Sequence, residues 1–258
     1  KRIKPFIWPS FIFVKPAAPI LLRKELAQPK YKPQVLVMSG VTDCYQPFER
    51  TFQLTRRCLE VLRDFRNPVG LITKNALIAR DIDIFKEMTS YGGISVTLSV
   101  TTLDNDIARV MEPRASTPEN RLKAIEKLSK AGIPVTVNVA PIIPGLTEHE
   151  IPSILKACAE RGAADAGYVV VRLPYAVKDL FSDWLHKNFP LRANKVLQRL
   201  KELHGGVLYK SEFGSRMTGE GLFAKHIADL FELGHRKAGF PRARSRLSPA
   251  SFRNPDLK

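Results

Sequence analysis

The chain alternates between short β-prone runs and helical stretches, and this alternation is the feature that most restricts its fold. Parallel strands need a crossover of about a dozen or more residues, usually a helix, between one strand and the next. The β-prone runs are Val35–Ser39, Val69–Thr73, Ile94–Ser99, Val135–Val139 and Tyr168–Arg172. Such a series predicts an α/β protein whose βα units wind right-handedly into a parallel sheet or barrel.

Helical periodicity and helix-end signals occupy the segments between these runs. The helical stretches are Phe48–Phe65, Ile82–Tyr91, Asp104–Met111, Thr117–Ala131 and Thr147–Arg161. Pro118 stands in a first helical turn, where an amide has no helical partner anyway, and Gly132 follows the same helix as a typical C-terminal glycine. A further strand–helix unit is predicted at the start of the chain, from Phe11–Val14 and Pro19–Gln28.

After Pro174 the alternation stops and only helical patterns remain. They cover Leu180–Phe189, Ala193–His204 and Gly221–Lys237, with no long β-prone run between them. No change of composition marks a second domain, so we interpret them as a C-terminal helical segment that closes the first. The sequence thus predicts one domain over residues 11–240.

The chain carries a large excess of positive charge, with 41 Lys and Arg against 25 Asp and Glu and a net charge of +16. Such an excess favours polyanionic partners, for example nucleic acid or an anionic membrane surface. Residues 1–10 and 241–258 are basic, lack apolar periodicity and are predicted to be extended arms. Two interpretations stay open for them: solubilising ends, or nucleic-acid contacts made by Arg242, Arg244 and Arg246.

Membrane and disulfide-rich classes do not fit the sequence. No apolar run approaches the roughly 20 residues that a transmembrane helix requires, so no membrane span is predicted. The three cysteines, Cys44, Cys58 and Cys158, are odd in number and widely spaced. This spacing argues against a disulfide scaffold and favours an intracellular, reducing compartment, either the cytoplasm or an organelle matrix.

Polar residues follow the predicted strands at their carboxyl ends, where parallel α/β proteins bind ligands. The strand-end loops are Ser39–Asp43, Thr73–Asn75, Ser99–Thr102, Asn138–Gly145 and Arg172–Pro174. Lys74 supplies a positive charge, Asp43 an acceptor and the hydroxyl groups contacts to a sugar. This rim therefore suits a ligand with a carboxylate, an ammonium group and a ribose. The alternative is that the same Ser, Thr and Asp residues only cap strands and form turns.

A set of short motifs also runs in order from about Phe11 to Phe240. The motifs include Phe13-Val14-Lys15-Pro16, Thr42–Glu49, Ile72–Asn75, Ser99–Asp104, Glu112–Ala115, Ala140–Gly145 and Arg216-Met217. Together they resemble the radical S-adenosylmethionine (SAM) superfamily, in particular the branch related to spore photoproduct lyase. The resemblance implies a partial (βα)6 barrel of the TIM type, which agrees with the number of strand–helix repeats.

The resemblance also implies two cofactors, SAM and a [4Fe–4S] cluster, and a set of residues that contact SAM. These residues are Ser39, Gly40, Thr42, Asp43, Lys74, Ser99, Ile143 and Arg172. The residues before Lys74 would meet the amino group of the methionine moiety, and Lys74 would face its carboxylate. Ser99 would face the ribose or the carboxylate, and the last two residues would border the adenine.

The chain departs from the family at the cysteines that hold the cluster. Three cysteines spaced Cys-x3-Cys-x2-Cys bind three irons of a [4Fe–4S] cluster in the family. They precede the segment matching Phe13-Val14-Lys15-Pro16, whereas residues 1–10 here contain no cysteine. Cys44 lies where relatives usually have proline, and Cys58 and Cys158 occupy helical positions typical of small buried hydrophobes. The sequence therefore offers no metal ligands of its own.

Two functional hypotheses follow from this departure. In the first, a cluster loop exists outside this sequence, and the protein is a radical SAM enzyme that generates a 5′-deoxyadenosyl radical. In the second, the loop has been lost, and the barrel is a cluster-free RNA-binding structural component of a ribonucleoprotein such as an organellar ribosome. The sequence indicates neither the substrate nor the oligomeric state.

Overall fold

Five parallel strands form one sheet in the part of the chain that this computed structural model describes, residues 13–39, 42–241 and 247–257. The strands are β1 (Leu36–Met38), β2 (Val69–Thr73), β3 (Ile94–Ser99), β4 (Val135–Ile142) and β5 (Asp165–Val170). They lie side by side in chain order, and each pairs in parallel with the next. The predicted α/β class is confirmed.

Helices connect the strands and continue after the last one. Within the described ranges they are α1 (Ala18–Leu26), α2 (Glu49–Phe52), α3 (Leu54–Asp64), α4 (Ile82–Thr89), α5 (Asn105–Met111), α6 (Pro118–Lys130), α7 (Ile151–Glu160), α8 (Val177–Asn188), α9 (Pro190–Leu203) and α10 (Gly221–Ala238). Helices α8 to α10 form the predicted C-terminal helical segment. None of the described helices has the length and apolar character needed to cross a membrane.

Strand β4 shows how the sheet is buried on its helical side. Val135, Val137 and Val139 are fully buried, and α6 and α7 contact this strand. Thr136 and Asn138 alternate with them and are half-buried on the opposite face of the sheet. Because successive side chains of a strand point to opposite faces, the apolar row packs under the helices and the polar row faces away from them.

The predicted helix Phe48–Phe65 is two helices. Gln53 adopts a left-handed conformation, with φ of 48°, between α2 and α3. The Glu49 carboxylate accepts hydrogen bonds from the backbone N–H groups of Thr55 (3.0 Å) and Arg56 (3.3 Å). These N–H groups belong to the first turn of α3, where no helical acceptor exists, so Glu49 caps a new helix at this point.

The fifth strand begins three residues earlier than the sequence predicts. Ala164 N donates to Val135 O (2.8 Å), so pairing with β4 starts at Asp165. The segment from Asp165 to Gly167 has low strand propensity, which is why the sequence alone does not indicate it. Pairing with a neighbouring strand outweighs that propensity here.

The sixth strand–helix unit of the expected barrel is present in part. Helix α1 is present, but Phe13 and Val14 belong to no strand, and Phe11 lies outside the described residues. At the other edge of the sheet, Val170 N donates to Met217 O (2.8 Å), which belongs to a segment of turns.

The segment 247–257 packs against the domain, in contrast to the extended arm expected from its composition. The ring of Phe252 lies 5.5 Å from that of Tyr31 and 6.1 Å from that of Phe65, measured between centroids. Arg253 N donates to Phe65 O (2.9 Å), and Asn254 Nδ2 to Ala27 O (3.0 Å). The ring contacts of Phe252 and these hydrogen bonds together hold the segment against the domain.

Several predictions concern residues outside the described ranges. These are residues 1–10, Gly40, Arg242, Arg244 and Arg246. The basic arm over residues 1–10 and the nucleic-acid contacts therefore stay predictions, as do the domain bounds 11–240.

A second, smaller apolar cluster joins α8 and α9 to the loops that follow β4 and β5. Its buried members are Ile107, Ile143, Leu146, Val171, Leu173, Leu185, Ala193, Val196 and Leu200. Gly145, in the loop after β4, lies against Val196 of α9. Its φ is +84°, and a Cβ there would lie 3.3 Å from Val196 Cγ2 and 3.4 Å from Val196 Cα.

We expect Gly145→Ala to lower the free energy of unfolding by about 2–4 kcal/mol, because left-handed strain and crowding against α9 add together. Urea unfolding followed by circular dichroism measures this change. Gly132→Ala is the matched control, since Gly132 has a similar φ of +78° but a Cβ there would meet no atom within 4 Å. Its cost should be only the strain, about 1–2 kcal/mol. Equal losses in the two variants would show that α9 does not restrict this turn.

Candidate functional site

Asp43 lies where the carboxyl ends of β1 and β2 meet. Its Oδ1 accepts hydrogen bonds from Thr73 Oγ1 (2.7 Å) and Tyr45 N (2.8 Å), and its Oδ2 accepts one from Lys74 N (2.8 Å). The loop after β1 is therefore tied to the end of β2 through one carboxylate. This contact brings Asp43 and Lys74 together, as their positions after neighbouring strands predict.

Ser39 closes the same loop from its other end. It has a φ of +83°, in the left-handed region that side chains rarely adopt. Its Oγ accepts a hydrogen bond from Cys44 N (3.0 Å), which draws the start of the loop towards its end. Thr42 is exposed on this loop, whereas Ser39 and Asp43 are half-buried.

A buried ionic network holds this loop against the segment between β2 and α4. Tyr45 and Asp81 are both fully buried, and Tyr45 Oη donates to Asp81 Oδ2 (2.9 Å). Burial raises the pKa of Tyr45 well above its usual value, so the phenol stays a donor. Asp81 also accepts from Arg56 Nη1 (3.0 Å) and Arg80 Nε (2.8 Å). The loop is thus anchored by a buried carboxylate that accepts four hydrogen bonds from three residues.

Glu112 connects two cations at the site. It lies between α5 and α6, and its side chain is only 10% exposed. One carboxylate oxygen contacts Lys74 Nζ and accepts from Thr101 Oγ1 (3.1 Å), and the other accepts from Arg121 Nη2 (2.6 Å).

Glu112 is ionised despite this burial. Burial opposes ionisation, but the charges of Lys74 and Arg121 and the hydrogen bonds from both outweigh it, so the pKa of Glu112 lies below its usual value. The ionised carboxylate therefore favours the folded state above about pH 4.3. This contribution is lost as the pH falls through the lower folded pKa.

Arg121 extends this network to the end of β3. Its side chain is 2% exposed, and its Nη1 donates to Ser99 O (3.0 Å) while its Nε donates to Ser116 O (2.8 Å). A continuous series of contacts thus runs from Asp43 through Lys74, Glu112 and Arg121 to Ser99. It links three of the predicted residues, which the parallel strands place at one end of the sheet.

Ile143 and Arg172 lie beside each other at the ends of β4 and β5, since Val171 N donates to Ile142 O (2.9 Å). The side chain of Ile143 is buried in the second apolar cluster, so only its backbone is available at the rim. The Arg172 side chain is exposed, and its Nε donates to Tyr209 Oη at 3.3 Å.

Two residues of the site, Glu112 and Arg121, are not indicated by the strand ends, and neither is the contact of Thr101 with Glu112. Glu112 belongs to a family-like motif, but it lies between two helices, where the position of the strands gives it no role. Arg121 belongs to a predicted helix. The sequence pattern nevertheless contains an indication of Arg121, because it lies on the apolar stripe of α6 with Ile125 and Leu128, and all three are buried. A charged residue on such a stripe needs a buried partner.

The three cysteines do not form a ligand cluster. Cys158 is buried, as predicted, and Cys44 and Cys58 are half-buried. Burial raises the pKa values of Cys44 and Cys158 to about 12 and that of Cys58 to about 11, so the thiols stay protonated. Among the described residues, no group of three or more His, Cys, Asp and Glu side chains is arranged to hold a metal ion.

Comparison with protein families and curated proteins identifies relatives. Residues 9–158 match the family model of the radical SAM superfamily. An uncharacterized protein of Methanocaldococcus jannaschii is 33% identical over 143 residues, which are 55% of this chain and 52% of the relative. An uncharacterized protein of Mycobacterium tuberculosis is 27% identical over 195 residues, 75% of this chain and 56% of the relative. The chain thus spans about half the length of the curated relatives it matches.

Solved structures of spore photoproduct lyase share the fold. One mutant of that enzyme superposes with a TM-score of 0.60 at 16% identity, covering 89% of this chain and 66% of that one. Another mutant, with AdoMet and a dinucleoside spore photoproduct bound, gives a TM-score of 0.59 with the same coverage. The likeness supports the predicted partial barrel, with the five described strands as its sheet.

The RNA-binding hypothesis has no support from these comparisons. Neither the matched family model nor the relatives named above are described as RNA-binding proteins. The three arginines predicted to contact nucleic acid lie outside the described residues.

Proposed function

Because this chain belongs to the radical SAM superfamily, we propose that it binds SAM at the carboxyl ends of β1 to β5. The observation that carries the proposal is the series of contacts from Asp43 through Lys74, Glu112 and Arg121 to Ser99. It gathers an acceptor, a cation and a hydroxyl-bearing residue from three different strand ends. These are the groups that the zwitterionic methionine moiety and the ribose of SAM require.

The charges of the site fit the two ends of the methionine moiety. Lys74 and Arg121 together exceed Glu112 by one positive charge, and Lys74 is the more exposed cation, with 33% of its side chain accessible. Lys74 would therefore hold the carboxylate of SAM. The Asp43 carboxylate and Ser39 Oγ would accept hydrogen bonds from the amino group, for which Gly40 and the exposed Thr42 stay predicted contacts.

The remaining residues would hold the nucleoside. Ser99 would contact the ribose, and the backbone at Ile143 and Arg172 would border the adenine. The rigid anchoring of the loop by Tyr45 and Asp81 fixes the acceptor groups before the ligand arrives, which lowers the entropic cost of binding.

In the superfamily, SAM supplies a 5′-deoxyadenosyl radical when a reduced [4Fe–4S] cluster cleaves it. The described residues do not fit such a cluster, because their three thiols are separate and protonated. Radical generation at this site therefore depends on cysteines other than these three. The contribution of the described residues is to bind and orient SAM.

Isothermal titration calorimetry with SAM and with S-adenosylhomocysteine tests this function. We expect the wild-type chain to bind both, and Lys74→Met to bind both about 10- to 100-fold more weakly, since it loses one charge-assisted hydrogen bond to the carboxylate.

Lys156→Met is the matched control, because Lys156 lies on α7 with 74% of its side chain exposed. Its affinity should equal that of the wild type. A wild-type chain that binds neither compound, or a Lys74→Met variant with unchanged affinity, would contradict the proposed function.

A further inference from the structure

The connection between α5 and α6 holds Lys74 by both its side chain and its backbone. Glu112 contacts the ammonium group, and Ser116 N donates to Lys74 O (3.3 Å). Ser116 Oγ accepts from Ala76 N (2.8 Å) and lies 3.2 Å from Asn75 Oδ1. The two residues that follow Lys74 are therefore held by the same connection that contacts its ammonium group.

Both oxygens of Glu112 are occupied, and this limits where the Lys74 ammonium group can lie. Oε1 contacts Lys74 and Thr101, and Thr101 Oγ1 is also 2.8 Å from Ala140 O at the end of β4. Oε2 is held by Arg121. Because contacts at both oxygens fix the position of the Glu112 carboxylate, the Lys74 ammonium group that pairs with it is restricted to one region of the site.

Arg121 balances the charge of Glu112 without being able to reach a ligand. It is almost fully buried, and its Nε, Nη1 and Nη2 all donate to protein oxygens. With Glu112 alone, Lys74 would be neutralised and would attract a carboxylate weakly. With Arg121 present, the three groups keep one net positive charge, and Lys74 is the accessible member.

Resting on the proposed function, we propose that Glu112 is a positioning residue that holds the Lys74 ammonium group ready for the carboxylate of the ligand. Lysine has a flexible four-carbon stem, and ordering it on binding costs affinity. A lysine already held by Glu112 loses less freedom when the ligand arrives. Glu112 thus acts through Lys74, and its effect concerns only ligands with a carboxylate.

The test uses Glu112→Asp, which keeps the charge but shortens the side chain by one methylene. Calorimetry compares S-adenosylhomocysteine, which has the carboxylate, with 5′-methylthioadenosine, which lacks the whole amino-acid moiety. We expect Glu112→Asp to weaken S-adenosylhomocysteine binding about 5- to 10-fold, within the range for a preorganised side chain. Its affinity for 5′-methylthioadenosine should equal that of the wild type.

A double-mutant cycle with Lys74→Met shows whether Glu112 acts through the lysine. In the Lys74→Met background, Glu112→Asp should have no further effect on S-adenosylhomocysteine binding. Glu126→Asp is the matched control, since Glu126 also pairs with a lysine and an arginine, Lys130 and Arg161, but away from the site. If Glu112→Asp does not fold, Thr101→Val replaces it in the same cycle, because it removes one contact of Glu112 and changes no charge.

The outcomes separate this inference from the proposed function. A wild-type chain that binds neither compound contradicts the proposed function. The positioning role alone is overturned if the wild-type chain binds S-adenosylhomocysteine and Glu112→Asp binds it with full affinity. It is also overturned if Glu112→Asp weakens the binding of both compounds equally. Additive effects in the cycle overturn it as well.

Discussion

Arg121→Met is expected to lower the free energy of unfolding by about 3–5 kcal/mol, because it leaves the buried Glu112 carboxylate with one cation fewer. The substitution also removes the donors to Ser99 O and Ser116 O, and unpaired buried carbonyl groups add to the cost. Methionine preserves most of the side-chain volume, so the loss measures the charge and hydrogen bonds rather than a cavity. Urea unfolding followed by circular dichroism measures the change.

Arg161→Met is the matched control on the neighbouring surface. Like Arg121, Arg161 pairs with glutamate, in this case Glu119 and Glu126 of α6, but about a third of its side chain is exposed. Exposed pairs contribute about 1 kcal/mol or less, so this variant should lose little stability. Similar losses in the two variants would mean that burial of the Glu112–Arg121 pair does not determine its energetic importance.

Asp81→Ala is expected to cost about 3–5 kcal/mol as well, since it removes four hydrogen bonds to a buried carboxylate and leaves the buried Tyr45 Oη without its acceptor. The variant should also bind S-adenosylhomocysteine about tenfold more weakly, because the anchor of the Asp43 loop is lost and ordering that loop then costs affinity. Urea unfolding and calorimetry below the unfolding transition measure the two effects.

Asp83→Ala is the matched control, because Asp81 and Asp83 both pair with Arg56. Unlike Asp81, however, Asp83 has 60% of its side chain exposed. We expect a loss of stability below about 1 kcal/mol and unchanged ligand affinity. If Asp83→Ala proves as costly as Asp81→Ala, the Arg56 contacts rather than the buried Tyr45–Asp81 link hold the loop.

Both networks bury charge at the carboxyl end of the sheet, although apolar packing there would often be equally stable. Each connects a strand-end loop to a distant element: Tyr45 to Asp81 in one, and Lys74 to Glu112 and Arg121 in the other. Such links fix the directions of the groups that would meet a ligand. We infer that the function of the buried charges is to fix this geometry, although burying them costs desolvation free energy.

Local sequence patterns are enough to establish the order of strands and helices and the edge of the sheet where the site lies. Periodicity indicates β2 and β3 with their correct bounds, because β2 is largely apolar and β3 alternates apolar residues with Ser and Thr. The crossover rule then places the loops after all five strands at one edge, so Asp43, Lys74 and Ser99 can be grouped without coordinates.

Contacts between distant parts of the chain establish which further residues complete the site and where the segment 247–257 packs. Glu112 and Arg121 reach Lys74 and Ser99 across 38 and 22 positions of sequence. The packing of Phe252 against Tyr31 likewise depends on a contact that no local pattern contains. Periodicity indicates which face of a helix or strand is buried, but it does not indicate which distant side chain contacts that face. For a buried charged group such as Glu112, the distant partners determine its position and its ionisation.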